Sequence, residues 1–110
     1  MELVAIQQNP PLLECLTRVQ RLVIQRYLDL IHQVPEVGSV YLALAPNRAV
    51  IVTTLVPSMT RQLSKRLASL ELEATAQLLG AAVSFETVWP HGSPRHSLAR
   101  YGEQIYAASN

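Results

Sequence analysis

This 110-residue sequence has few charged residues. Charged residues make up 15% of it, against about 25% in a typical globular domain. Nine basic and eight acidic residues leave a net charge of +1, so the composition indicates no bulk attraction to nucleic acid. A small domain with so few charges has little polar surface to face water. We therefore expect part of the surface to be covered by a protein partner or by a second copy of the chain.

Cysteine and long apolar runs are also scarce. Cys15 is the one cysteine, which excludes an internal disulfide. No window of 18 apolar residues occurs, so the sequence predicts no membrane span. The acidic second residue and the short apolar start are not typical of a secretion signal. With a length of 110 residues, these features predict a single cytoplasmic domain over residues 1–110.

The hydrophobic pattern of the first half predicts a strand, a helix and a hairpin. Residues 2–6 form a short apolar run typical of an edge strand. Asn9 is a good N-cap, and Pro10 and Pro11 fit a first helical turn. Apolar residues then recur at spacings of three, four and seven, which predicts a helix that runs to about Gln33. The segments 39–45 and 48–56 alternate or are rich in β-branched residues and are joined by Pro-Asn, which predicts the hairpin.

The second half predicts a helix over about residues 59–80, capped by Ser58, and a strand over residues 83–89. The segment SLARYGEQIYAA, residues 97–108, predicts a short terminal helix that Gly102 weakens.

The predicted order is therefore β-α-β-β-α-β with a short C-terminal helix. This order is typical of an α+β two-layer sandwich of the ferredoxin-like kind, with two helices over one face of an antiparallel four-stranded sheet. We expect the strands at 39–45, 48–56 and 83–89 in one sheet, with both long helices on the same face.

The apolar surplus points to an interaction surface. Apolar residues cover more of the first helix than one sheet contact needs, and the hairpin is apolar on both faces. Small side chains on its second face would let another layer approach closely. The residues predicted to contact a second copy or a protein partner are Val19, Val23, Tyr27, Tyr41, Ala43 and Ala45. Alternatively, the terminal helix folds back and covers one of these faces.

A basic segment at the start of the second helix is the best candidate for binding an anion. Helix N-termini present free amides and a positive partial charge, to which phosphate groups bind. The candidate residues in TLVPSMTRQLSKR are Ser58, Thr60, Arg61, Lys65 and Arg66. The segment lacks a glycine-rich loop, and basic residues on a helix are usually only solvated. Binding of nucleic acid or a phosphorylated ligand is therefore the alternative function.

The segment VWPHGSPRHSLARY contains the residue types most typical of catalytic and metal sites, but its pattern predicts neither kind of site. Zinc needs three or four ligands, and this segment supplies two histidines. Hydrolysis needs a serine, a base and an orienting acid, and the nearby acids, Glu86 and Glu103, are isolated. We expect a connecting loop, with a possible recognition role for Trp89, His91, Arg95 and His96. The sequence thus predicts a protein that is not an enzyme and binds no cofactor or metal.

The stretch VGSVYLALAPNRAVIVTTLVPSMTRQLSKRL resembles the core of small nucleotidyltransferase-like domains, with its Gly-Ser, hairpin strand and following helix. In that family the Gly-Ser follows the first strand, whereas Gly38 and Ser39 precede it here. The paired metal-binding aspartates are absent, because the equivalent strand reads AVIVTT. The resemblance implies a domain that has lost metal-dependent transfer. A small non-catalytic interaction domain, acting as a homodimer or as a subunit of a larger assembly, is the function that the sequence favours.

Overall fold

The computed structural model describes residues 15–78, 80–89 and 103–108. Within these ranges the elements are α1 Arg18–Ile31, β1 Ser39–Leu44, β2 Val50–Leu55, α2 Arg61–Thr75, β3 Val83–Val88 and β4 Glu103–Ala107. They form an α+β structure of two helices and one four-stranded sheet, which confirms the predicted fold class.

The sheet has the strand order β3-β2-β1-β4. β1 lies antiparallel to both β2 and β4, whereas β2 and β3 are parallel. The sheet is therefore mixed, since β2, β3 and β4 run in one direction and β1 in the other. α2 is the crossover that parallel neighbours such as β2 and β3 require. The segments predicted as strands at 39–45, 48–56 and 83–89 do lie in one sheet.

Two parts of the ferredoxin-like prediction are wrong for the described residues. The element order is α-β-β-α-β-β, and residues 103–107 form β4 where a terminal helix was predicted. β1 has one edge beside β2, and its other edge pairs with β4 from Ser39 opposite Ala107 to Leu42 opposite Glu103. This pairing overrides the weak helical pattern around Gly102. The predicted strand at residues 2–6 lies outside the described residues.

Both helices begin at threonine caps rather than where the sequence placed them. The Thr17 side chain accepts a hydrogen bond from the Gln20 backbone N–H at 3.0 Å, and the Gln20 side chain accepts one from the Thr17 N–H. This capping box starts α1 at Arg18, so the predicted helix is wrong over residues 15–17. Thr60, not Ser58, caps α2 by accepting from the Leu63 N–H at 3.0 Å.

Both helices pack on the same face of the sheet, as predicted. From α1, the Tyr27 hydroxyl lies 2.7 Å from the Thr54 hydroxyl on β2, and its ring centroid lies 4.9 Å from that of Phe85 on β3. α2 places Leu63, Leu67 and Ala74 in the same core. Backbone carbonyls join the helices, since Arg26 Nη1 donates to Ala76 and Arg66 Nη2 to Gln33.

One polar side chain is part of this core. Gln20 is 4% exposed, and its Nε2 donates to the carbonyls of Arg48 and Ala82, each at 3.2 Å. The first carbonyl belongs to the β1–β2 turn and the second precedes β3. Gln20 therefore ties the start of α1 to one end of the sheet, and its hydrogen bonds offset the cost of burying an amide. No described helix combines the length and apolar character needed to cross a membrane.

Candidate functional site

The sheet face away from the helices is the best candidate for a functional surface. Successive strand residues point to opposite faces, so the residues next to Thr54 and Phe85 point away from α1 and α2. We call this the outer face; its described members are Ser39, Tyr41, Ala43, Ile51, Thr53, Leu55, Ser84, Glu86, Val88, Gln104 and Ala107.

The outer face is poor in charge. Glu86 is the one charged residue among its described members, and Ser84 is the one that is well exposed. A sheet face that meets water normally shows polar residues at alternate positions. Tyr41, Ala43 and Ile51 are instead half-buried members in the middle of the sheet. This composition is typical of a face that packs against another layer. Thr53 is 0% and Val88 9% exposed in the single chain, so the chain itself already covers part of this face.

A row of polar side chains crosses the outer face at one register level. Gln104 is opposite Tyr41, Tyr41 is opposite Thr53, and Thr53 is opposite Glu86. Within the described part of the chain, the Thr53 Oγ1 and Glu86 Oε2 atoms are buried and have no hydrogen-bond partner. Buried polar atoms without partners cost about 1–3 kcal/mol each, so this row is the least satisfied part of the sheet.

The helix-facing side of the same strands contains a satisfied polar pair. Burial raises the pKa of the Tyr27 phenol to about 12, although the hydrogen bond between Tyr27 and Thr54 acts in the opposite direction. The phenol therefore stays protonated and able to donate at any physiological pH. The pair has no access to solvent, since both residues are at most 1% exposed. It serves packing rather than chemistry.

The predicted interface residues divide between the surface and the core. Tyr41, Ala43 and Ala45 are half-buried at or beside the outer face, and Val19 on α1 is 37% exposed. Val23 and Tyr27 lie on the buried side of α1 and are 0% exposed. They therefore belong to the core and not to the protein surface. Leu22, which the sequence analysis did not select, is exposed on α1.

The predicted anion-binding residues lie around the start of α2, but they do not all face one place. Thr60 is already used as the cap, and Arg66 reaches across to the Gln33 carbonyl of the α1 C-terminal turn at 3.1 Å. Ser58, Arg61 and Lys65 are exposed. Arg61 and Lys65 are therefore the basic pair that the fold leaves on the surface at this helix end.

The predicted recognition loop falls mostly outside the described residues. Trp89 is half-buried and packs against the core, whereas His91, Arg95 and His96 lie in the undescribed range 90–102. Among the described residues, no group of three or more His, Cys, Asp or Glu side chains is placed to hold a metal ion. His32, at the C-terminal end of α1, contacts the Tyr106 ring of β4 with centroids 5.6 Å apart.

A groove between α2 and β3 was missed by the sequence analysis. It has a volume of about 430 Å³ and is lined by Ala68, Glu71, Leu72, Thr75, Val83 and Phe85. Leu72 is 73% exposed, the most of any large apolar side chain described. The helical period alone predicts that Leu72 is exposed, because Leu72 lies on the opposite side of α2 from Leu63 and Leu67.

In comparisons with known proteins, the chain matches no protein-family model, no curated protein and no solved structure.

Proposed function

We propose that this chain is a non-catalytic protein-interaction domain that binds through its outer face. The partner is a second copy of the chain, or another protein of a larger assembly in which the chain is a subunit. The observation that carries this proposal is the composition of the outer face, on which Glu86 is the one charged residue among the described members.

Small side chains favour another protein layer as the occupant of this face. Ala43 on the central strand β1 and Ala45 just beyond it are half-buried, and they add little height above the backbone. Two sheets pack face to face at about 10 Å, and residues of this size permit that approach. A specific interface buries about 800 Å² per partner.

The experiment compares two arginine variants by light scattering at tens of micromolar. The wild type is expected to have twice the protomer mass of 12.2 kDa, or to purify with a partner protein. Ala43→Arg places a charge on the outer face and is expected to remove that association. Ser69→Arg, on the exposed surface of α2, is the matched control and is expected to leave the association unchanged.

A wild-type monomer that purifies without any other protein would overturn the proposal. An Ala43→Arg variant that keeps the wild-type mass would overturn the assignment to the outer face. Circular dichroism on both variants shows whether the fold is retained.

The second candidate function is binding of nucleic acid or of a phosphorylated ligand at the start of α2. The observation that favours it is that Arg61 and Lys65 are exposed one turn apart at a helix N-terminus. An affinity for single-stranded or duplex DNA that falls steeply with salt, and that Arg61→Ala with Lys65→Ala abolishes, would support this function. No measurable affinity for DNA at low salt would exclude DNA binding at this helix start.

A further inference from the structure

The geometry points to a second binding surface, in which the groove between α2 and β3 takes an extended apolar peptide of a partner protein as an added strand. This inference rests on the proposed function as a protein-interaction domain. It adds a surface separate from the outer face and names the kind of partner that this surface fits.

The first support is that β3 lies at one end of the described sheet. β3 is the end strand of the sheet, and within the described residues it pairs with β2 alone. Its six residues, Val83–Val88, span about 20 Å at 3.3 Å per residue. The outward N–H and C=O groups of such an edge pair readily with an extended peptide.

The second support is that the other end strand is less regular. The pairing of β4 with β1 shifts register between Val40 and Tyr41, and irregular pairing of this kind hinders the addition of another strand. β4 also begins with the charged residue Glu103, and charged residues on an end strand discourage further pairing. The pairing of β3 with β2 runs from Val83 to Val88 without a shift, so β3 is the edge suited to receive a peptide.

The third support is the groove that follows this edge on the helix side. Val83 and Phe85 form its floor and are half-buried, while Ala68 and Leu72 of α2 are exposed beside it. The groove is open to solvent along its length and has a volume of about 430 Å³. Alternate side chains of an added strand would point into this groove, so the peptide needs apolar residues at positions i and i+2.

The charge of the groove selects the flanking residue of the peptide. Glu71 is its charged lining residue, and burial raises the pKa of that carboxyl above its usual range. A lysine or arginine of the peptide would lower the cost of keeping Glu71 ionised. The preferred ligand is therefore an extended segment with alternate apolar residues and one basic residue, rather than an acidic one.

The groove between the two helices provides a contrast. It is lined by Arg26, Asp29, Leu30 and Glu73, and the Arg26 guanidinium already donates to the Ala76 carbonyl. Its described lining residues all belong to the helices, and most of them are charged. A peptide that binds through main-chain pairing and apolar side chains is thus expected at β3 and not here.

The test selects peptides from a displayed library of random octapeptides and measures the affinity of the enriched peptides by fluorescence anisotropy. We expect enrichment of peptides with apolar residues two apart and a nearby lysine or arginine. Ala68→Trp fills the groove and is expected to weaken binding at least tenfold. Ser69→Trp, on the next exposed residue of α2, is the matched control and is expected to bind like the wild type.

Two further measurements distinguish strand addition from nonspecific apolar binding. Two methylated forms of an enriched peptide are compared, one for each set of alternate backbone amides. The form whose methylated amides face β3 is expected to bind at least tenfold more weakly. Leu72→Ser is expected to weaken binding several-fold, and it keeps the test valid if Ala68→Trp does not fold.

Several results would overturn the inference. One is that no peptide is enriched. Another is that neither Ala68→Trp nor Leu72→Ser weakens binding, and a third is that N-methylation does not weaken it. Self-association that Ala68→Trp abolishes, without any peptide binding, would assign this edge to a second copy instead. The Ala43→Arg variant separates the two proposals, because it is expected to lose the outer-face association and to bind the peptide unchanged.

Discussion

Thr53 and Thr54 are neighbours on β2 and both are buried, yet they point to opposite faces of the sheet. On the helix side, Thr54 is hydrogen-bonded to Tyr27 at 2.7 Å. On the outer face, the Thr53 hydroxyl is buried without a hydrogen-bond partner within the described part of the chain. The helix face is thus fitted for internal packing, whereas the outer face carries unmet polar groups and few charges. The shortage of charge on the outer face, and not the burial of Thr53 within the single chain, is why we place the interaction surface there.

The largest expected effect comes from removing the ring at the centre of the helix face. Tyr27→Ala is expected to lower the free energy of unfolding by about 3–5 kcal/mol, as aromatic-to-alanine changes in cores do. Its ring is fully buried and contacts Phe85. Chemical denaturation measures the change. A loss below about 1 kcal/mol would show that Tyr27 is not a core residue. The original prediction, that Tyr27 contacts a partner, would then stand.

The next effect separates the two threonines. Thr54→Val keeps the shape of the side chain but leaves the Tyr27 hydroxyl buried and unpaired. The expected loss is about 1–3 kcal/mol of unfolding free energy, measured by urea denaturation. An unchanged midpoint would mean that the Tyr27 hydroxyl finds another partner, and the contrast between the faces would weaken.

An alkaline titration tests the same pair by its proton. The folded pKa of Tyr27 is raised from 10.0 to about 12, so between these values the folded chain keeps a proton that the unfolded chain releases. Stability is fully present below pH 10 and falls as pH rises towards 12, by up to about 1.4 kcal/mol per pH unit. Tyr27→Phe has no such proton, and the difference between the two stability curves isolates it. Parallel curves would contradict the burial of this phenol.

The smallest effect is expected on the outer face and has the opposite sign. Thr53→Val removes an unpaired hydroxyl and keeps the β-branched shape, so we expect an increase in stability of up to about 1 kcal/mol. The measurement is the same urea denaturation as for Thr54→Val. If both valine variants lose stability equally, the two faces do not differ in the way described here.

The sequence was sufficient to predict the elements whose periodicity is strong. The segments that became α1, β1, β2, α2 and β3 were all assigned to the right type, because their apolar patterns repeat over six or more residues. Residues 103–107 were not, because a five-residue strand containing Ile105 and Tyr106 depends on the free edge of β1, which only the folded sheet provides. The same dependence on distant partners hid the parallel pairing of β2 with β3.

The candidate site was only partly readable for a related reason. An apolar stripe on a helix shows which residues avoid water, but not whether the chain itself or a partner covers them. Val23 and Tyr27 proved to be core, while Leu22 is exposed and Gln20 is buried in their midst. Gln20 is buried because two carbonyls, of Arg48 and Ala82, lie within reach. Only the folded backbone brings those carbonyls together.

The most direct test of the outer-face interaction is cross-linking between copies in a Cys15→Ser background. A cysteine replacing Ala43 on the outer face is treated with a short bismaleimide that spans about the 10 Å between packed sheets. A cysteine replacing the exposed Ser69 on α2 is the control. We predict a covalent dimer from the Ala43→Cys variant and none from the Ser69→Cys variant. Equal cross-linking of both variants, or none from Ala43→Cys in a sample of dimeric mass, would contradict the assignment of the outer face as the interface.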